Sequence, residues 1–173
     1  MARRQTRKDG GAPAGEIGDL LDSIDQAFDR SAWHGTNLRG AIRRMSAAQA
    51  ARRPGAGRHN IWEIVVHAAY WKYAVWRRLT GARRGSFPLR GSNWFPRPAA
   101  TDASEASWKS DVRMLEQVHA ELRRAIAELD PRSLDRGVKG SRHSRRRMIH
   151  GIALHDVYHA GQIQLLKRLT AGS

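Results

Sequence analysis

The chain has no cysteine among its 173 residues. This absence excludes disulfide bonds, thiolate metal sites and a cysteine nucleophile belonging to the protein itself. Long apolar runs are also missing, since none approaches the roughly 20 residues that a membrane-spanning helix needs. The basic start, MARRQTRKDGG, is not followed by the apolar stretch of a secretory signal. We therefore expect a cytoplasmic protein with no membrane partner.

Acidic residues are scarce beside basic ones, with 16 Asp and Glu against 31 Lys and Arg, which gives a net charge of +15. A charge of this size raises the hypothesis of a nucleic-acid partner. Most arginines, however, stand in separate pairs along the chain, and only residues 142–147, RHSRRR, form a dense cluster. Scattered pairs are more typical of a solvated surface than of one binding groove. We therefore favour a small-molecule partner and keep nucleic-acid binding through residues 142–147 as an alternative.

Alternating strand patterns are absent, and apolar residues recur instead at helical spacing. Residues 1–15 combine charge, glycine and Pro13, and predict a disordered basic tail before a single domain at 16–173. Four long amphipathic stretches then predict an all-α four-helix bundle with short extra helices. The first of these stretches begins at about Glu16.

The other three long helices have readable ends. The second begins after Asn60, an N-cap with Glu63 in the capping-box position, and ends near Thr80 before Gly81. A long loop rich in Gly and Pro follows at 82–100, with Trp94 and Phe95 as aromatic anchors. The third helix is predicted from about residue 101 to 130, and the last from about 145 to 169.

Three histidines lie where these helices should carry inward side chains. His155 and His159 are four residues apart on the last helix, so their rings project from one face. His67 lies on the inner stripe of the second helix, between Ile64 and Trp71. Burying three imidazoles without partners is costly, and one divalent cation would satisfy a nitrogen of each. Separate core histidines with hydrogen-bond partners of their own are the alternative.

Three segments resemble the DinB/YfiT-like superfamily of four-helix-bundle metalloproteins. They are WHG at 33–35, HNIWEIVVHAAYW at 59–71 and HGIALHDVYHAGQIQLLKR at 150–168, and the resemblance spans about 16–170. It implies a divalent metal, zinc or nickel, bound by a histidine of the second helix and an H-x-x-x-H pair of the last, which here are His67, His155 and His159. Ferrous iron also suits such ligands. The resemblance further suggests a homodimer.

Three histidine ligands leave coordination positions open, as in catalytic sites. Relatives implied by the resemblance include enzymes that use low-molecular-weight thiols, namely S-transferases and a mycothiol-dependent isomerase. We therefore expect a metal-dependent enzyme that acts on small molecules, with thiol-dependent S-transfer as the favoured reaction. A metal-dependent hydrolase is one alternative, and a non-catalytic basic bundle for stress response or nucleic-acid binding is another.

Other polar residues near these motifs have two readings each. Glu63 could act as a base or second-sphere acceptor, although helix capping is the simpler role. Tyr158 could donate to a substrate or simply pack, and Gln162 could make a polar contact near the metal. We expect His119 to be a hydrogen-bonded core residue. Asp156 lies off the His155/His159 face, so we expect it on the surface or tethering a loop.

Overall fold

The computed structural model describes residues 15–171 and shows, within that range, a helical protein with no strand. The described residues form six α-helices, and two 3₁₀ turns lie at Ala100–Asp102 and Pro131–Ser133. The helices are α1 (Glu16–Phe28), α2 (Leu38–Ala41), α3 (Ala47–Ala51), α4 (Ile61–Thr80), α5 (Glu105–Ala127) and α6 (Arg145–Leu169). The four long helices confirm the predicted bundle with short extra helices. The predicted disordered tail lies, except for Gly15, outside the described residues.

Local signals at the helix ends explain why most of the predicted boundaries hold. The Asn60 side chain accepts a hydrogen bond from Glu63 N at 2.8 Å. In turn, the Glu63 carboxylate accepts one from Asn60 N at 3.3 Å. This reciprocal capping box starts α4, which ends at Gly81 in the left-handed conformation, with φ of 74°. The Ser144 hydroxyl is the N-cap of α6, because it accepts a hydrogen bond from Arg147 N.

The start of α5 differs from the prediction near residue 101. The segment Ala100–Asp102 forms a 3₁₀ turn, and α5 begins only at Glu105. Ser104 is its N-cap and accepts from Ser107 N. Short 3₁₀ turns are frequent at the N-termini of α-helices, and this one precedes α5 so closely that the sequence pattern predicts a single helix.

The four long helices pack around two apolar clusters. Helix α4 lies against α5 and α6, and α1 lies against the same two helices. One cluster, around Trp62, Leu115 and Ile163, also includes the short helices α2 and α3. The other, around Leu122 and Ile149, lies between α1 and the remaining long helices. None of the described helices is both long and apolar enough to cross a bilayer.

The prediction for Asp156 is wrong, because the structure buries this residue completely. Its carboxylate forms an ion pair with Lys72 of α4, which is also fully buried. Lys72 Nζ further donates to His119 Nδ1 at 3.2 Å and lies 4.8 Å from the centre of the Phe28 ring. The partner of Asp156 is 84 positions away in the chain, so the periodicity of α6 alone could not reveal it.

Candidate metal centre

The structure brings the three predicted histidines together between α4 and α6. His155 Nε2 lies 3.2 Å from His67 Nε2 and 3.1 Å from His159 Nε2. All three potential ligand atoms lie within 4.8 Å of one another. His67 and His159 are buried and His155 is half-buried. The i, i+4 spacing on α6 supplies one pair, and the packing of α4 against α6 supplies the third ring.

Hydrogen bonds on the far side of two rings determine their tautomers. His67 Nδ1 lies 2.8 Å from the backbone carbonyl oxygen of Asn93, which can only accept. His159 Nδ1 lies 2.7 Å from Gln162 Oε1, which also only accepts. Both Nδ1 atoms therefore carry the proton, and both Nε2 atoms present a lone pair to the centre of the cluster.

These lone pairs make the donor set suitable for a cation. His155 could offer a single Nε2 proton and so could satisfy only one of its two neighbours. Its Nδ1 is buried without a hydrogen-bond partner among the described residues. Neutral imidazole nitrogens are ligands that suit zinc, nickel and ferrous iron. Here three of them converge, and two have a hydrogen-bond acceptor behind them in the second sphere. The three-histidine cluster could therefore hold one metal ion.

Burial keeps these rings neutral, as metal binding requires. It lowers the pKa of His155 to about 3, and the neighbouring His159, His67 and Lys72 act in the same direction. Burial also lowers the pKa of His159 to about 4, with His67 contributing and Gln162 opposing. The pKa of His67 is lowered by burial as well, against the hydrogen bond to Asn93.

The loop between α4 and α5 contributes Asn93, a residue that the sequence pattern did not indicate. Asn93 adopts a left-handed backbone conformation, with φ of 66°. Its carbonyl faces His67, and its side chain accepts from Trp71 Nε1 at 2.9 Å. Asn tolerates this conformation better than most residues, so an Asn within a Gly- and Pro-rich loop was a weak local signal. Its contact with His67 depends on tertiary packing and has no signal in the sequence.

Trp94 completes this wall of the site. Its indole stacks on the His67 ring at 3.9 Å between centroids and on the His59 ring at 3.7 Å. The tryptophan therefore lies between the two imidazoles and restricts the orientation of His67. Phe95, the other aromatic anchor of the loop, is buried as predicted.

Glu63 is fully engaged at the N-terminus of α4. Besides the capping box, its carboxylate binds the Arg53 guanidinium and lies 3.0 Å from His59 Nδ1. Burial acts to raise the pKa of this carboxyl, but the hydrogen bonds from Arg53, His59 and Asn60 hold it below the usual value. Capping is thus confirmed, and a catalytic role for Glu63 stays a prediction.

Gln162 and Tyr158 form a short hydrogen-bonded chain that leads away from His159. Gln162 Nε2 donates to the Tyr158 hydroxyl at 2.9 Å while Gln162 Oε1 accepts from His159. Tyr158 is exposed. Since its oxygen accepts from Gln162, its own O–H is left to donate outward. The structure therefore places both predicted residues beside the cluster.

The comparisons with known proteins identify a family for this chain. The family model of the DinB superfamily matches residues 12–163. No curated protein and no solved structure matches the chain. Because the family model covers most of its length, the chain belongs to the DinB superfamily.

Proposed function

We propose that this member of the DinB superfamily is a metal-dependent enzyme whose His67, His155 and His159 hold one divalent cation. Zinc and nickel are the ions we favour, and ferrous iron fits the same ligands. The observation that carries the proposal is that potential ligand nitrogens of the three histidines lie within 4.8 Å of one another. The Nε2 atom of His155 lies 3.2 Å and 3.1 Å from those of His67 and His159, and one Nε2 proton cannot satisfy both contacts.

A divalent ion at this site would supply a Lewis acid with open positions, which lowers the pKa of a coordinated thiol or water. The protein's own residues orient and shield the site. Asn93 and Gln162 keep the Nε2 atoms of His67 and His159 directed inward. Trp94, stacked on His67, excludes water from that side.

We favour thiol-dependent S-transfer as the reaction. In this reaction the thiol of a small co-substrate gives its proton to solvent, and its sulfur bonds to an electrophilic carbon of the second substrate. The bond from that carbon to a leaving group breaks, and the leaving group departs with the electron pair. The support is the superfamily membership together with a site that fits a metal with open positions. Metal-dependent hydrolysis is the alternative reaction for the same residues.

The test is turnover by zinc- or nickel-loaded protein with a low-molecular-weight thiol and an electrophile such as monobromobimane. We expect the wild type to form product above the uncatalysed rate and His67→Ala to fall to that rate, while His34→Ala, which changes an exposed histidine outside α4 and α6, behaves as the wild type. Turnover of an ester without any thiol would favour the hydrolase instead. Equal rates with and without metal would contradict both reactions.

The contacts of the arginine cluster at 142–147 weaken the nucleic-acid alternative. Arg146 forms ion pairs with Asp135 and Glu16, and Arg145 donates to the carbonyl of Ser133. Two members of the cluster therefore serve the connection between α5 and α6. Arginines bind phosphates through guanidinium groups that are not already paired with carboxylates. Fewer arginines of this cluster are therefore available to a nucleic acid than the sequence indicates.

We also propose that the protein is a homodimer that pairs through α6. Four of the five large apolar side chains that the described residues expose lie on this helix: Leu154 (68% exposed), Tyr158 (62%), Leu165 (57%) and Leu169 (58%). Their spacing of four, seven and four residues puts them on one face. Gly161 lies among Tyr158, Leu165 and Leu169 on that face and has open space around it, so a second helix can approach closely there.

A further inference from the structure

A pocket of about 630 Å³ lies between the second half of α4 and the first half of α6, and residues 140–143 close one side of it. This volume is in the range of small-molecule sites. His155 is among its lining residues. The pocket therefore reaches the histidine cluster at one end.

The inner wall of this pocket is apolar. Trp71 and Val75 contribute from α4, and Met148 and Ile152 contribute from α6. The indole of Trp71 is held in place by its hydrogen bond to Asn93. A flat or elongated apolar body would be desolvated against this wall, and the indole offers it a stacking surface.

The outer end of the pocket is cationic. Arg78, Arg142 and Arg147 line it, and no carboxylate does. Within residues 15–171 none of these three arginines forms an ion pair, in contrast to Arg146 of the same cluster. Arg147 also lies in the first turn of α6, where the helix dipole disfavours a cation. A bound anion would reduce the repulsion among the three arginines and the unfavourable interaction of Arg147 with the dipole of α6.

We propose that this pocket binds a small organic carboxylate with an apolar body, as a substrate of the metal-dependent reaction proposed above. The guanidinium groups would take the carboxylate, and Trp71 and Met148 would contact the body. Arg147 and His155 are eight residues apart on α6, a rise of about 12 Å. A molecule about as long as a biphenyl would therefore extend from the arginines to the histidines.

The test uses metal-free protein, so that a carboxylate bound to metal cannot imitate binding in the pocket. Isothermal titration calorimetry compares biphenyl-4-carboxylate with the neutral biphenyl-4-carboxamide and with acetate. The variant is Arg142→Gln/Arg147→Gln. The matched control is Arg113→Gln/Arg124→Gln, which removes two exposed arginines of α5 outside the pocket and changes the net charge equally.

We expect the biphenyl carboxylate to bind about tenfold more tightly than either the amide or acetate. The pocket variant should lose this preference, and the control should keep it. Equal affinity for acid and amide, equal weakening by both variants, or no binding to the metal-free protein would each overturn the proposal. If one of these results is obtained and the protein still binds metal, the pocket proposal fails but the proposed metal-dependent function does not. A retained carboxylate preference without metal binding would refute the metal function alone.

Discussion

At the scale of single residues, the orientation of the clustered imidazoles depends on two neutral acceptors. One is a backbone carbonyl and so cannot be removed by substitution, whereas the other is the side chain of Gln162. The amide oxygen of Gln162 holds the Nδ1 proton of His159 and thereby keeps its Nε2 available as a ligand. Such second-sphere contacts typically contribute 10- to 100-fold to metal affinity.

Gln162→Leu should therefore weaken zinc binding by about 10- to 100-fold without unfolding the protein, because Gln162 is only half-buried. Gln162→Glu restores an acceptor for His159 and should recover most of the affinity. Competition with a chromophoric chelator measures both constants. Unchanged affinity in the leucine variant would show that Gln162 does not support His159.

His119 provides a separate prediction because it lies beside Asp25, Phe28 and Arg123 and is not one of the three clustered histidines. Burial, then Lys72 and Arg123, lower its pKa to about 2. Lys72 of α4 donates to its Nδ1, Asp25 of α1 lies 4.0 Å from its Nε2, and Arg123 of α5 forms an ion pair with Asp25. The folded protein thus keeps His119 neutral, whereas the unfolded chain binds a proton below about pH 6.5.

This difference makes folding stability fall as the pH drops. The contribution of neutral His119 is complete above about pH 6.5 and is lost by about 1.4 kcal/mol per pH unit well below it. In urea unfolding between pH 4.5 and 6, His119→Gln should show a pH slope shallower by up to about that amount. The exposed His143→Gln is the control. Identical slopes for His119→Gln and the wild type would mean that His119 is protonated in the folded protein.

At the scale of helices, α4 and α6 are joined by charge as well as by the histidines. Lys72 and Asp156 are both fully buried, and burial raises the pKa of the Asp156 carboxyl to about 6 against the opposing effect of Lys72. The second carboxylate oxygen, Oδ1, has no hydrogen-bond partner among the described residues. A buried ion pair of this kind adds little to the free energy of unfolding, because burying the two charges is costly. Removing only one partner destabilises the protein strongly, because the other charge is left buried without a counter-charge.

Lys72→Met should therefore destabilise the protein by about 3–5 kcal/mol, because it leaves the Asp156 carboxylate buried without a cation. The double variant Lys72→Met/Asp156→Ala should be more stable than Lys72→Met alone. Chemical unfolding of the two single variants and the double variant completes the cycle. If the two single effects simply add, the pair is not coupled as the structure indicates.

The same helices show what the sequence could and could not predict. The boundaries of α4 and α6 were predictable because Asn60 and Ser144 act through contacts with residues three positions on. The inward positions of His67, His155 and His159 followed from helical periodicity. Asp156 was misplaced, and Asn93 was missed, because their partners Lys72 and His67 lie on other elements. Contacts between distant segments leave no periodic signal in one sequence.

At the scale of the whole molecule, the apolar face of α6 predicts self-association. Leu165→Glu places a charge on this face, on a side chain that is 57% exposed, so the fold should tolerate it. We expect the wild type to be a dimer and Leu165→Glu a monomer in analytical ultracentrifugation. Trp33→Glu, at a fully exposed apolar residue outside α6, should remain dimeric. A monomeric wild type, or dissociation by both variants, would contradict pairing through α6.

Whether the histidine cluster binds one divalent ion can be measured directly by cobalt(II) titration, read by visible absorption and by elemental analysis of the dialysed protein. Three nitrogen ligands from α4 and α6 should bind about one equivalent per chain. His67→Ala should abolish this binding, although His67 is distant in sequence from His155 and His159, and His150→Ala should retain it. One equivalent bound as tightly by His67→Ala as by the wild type would contradict the account.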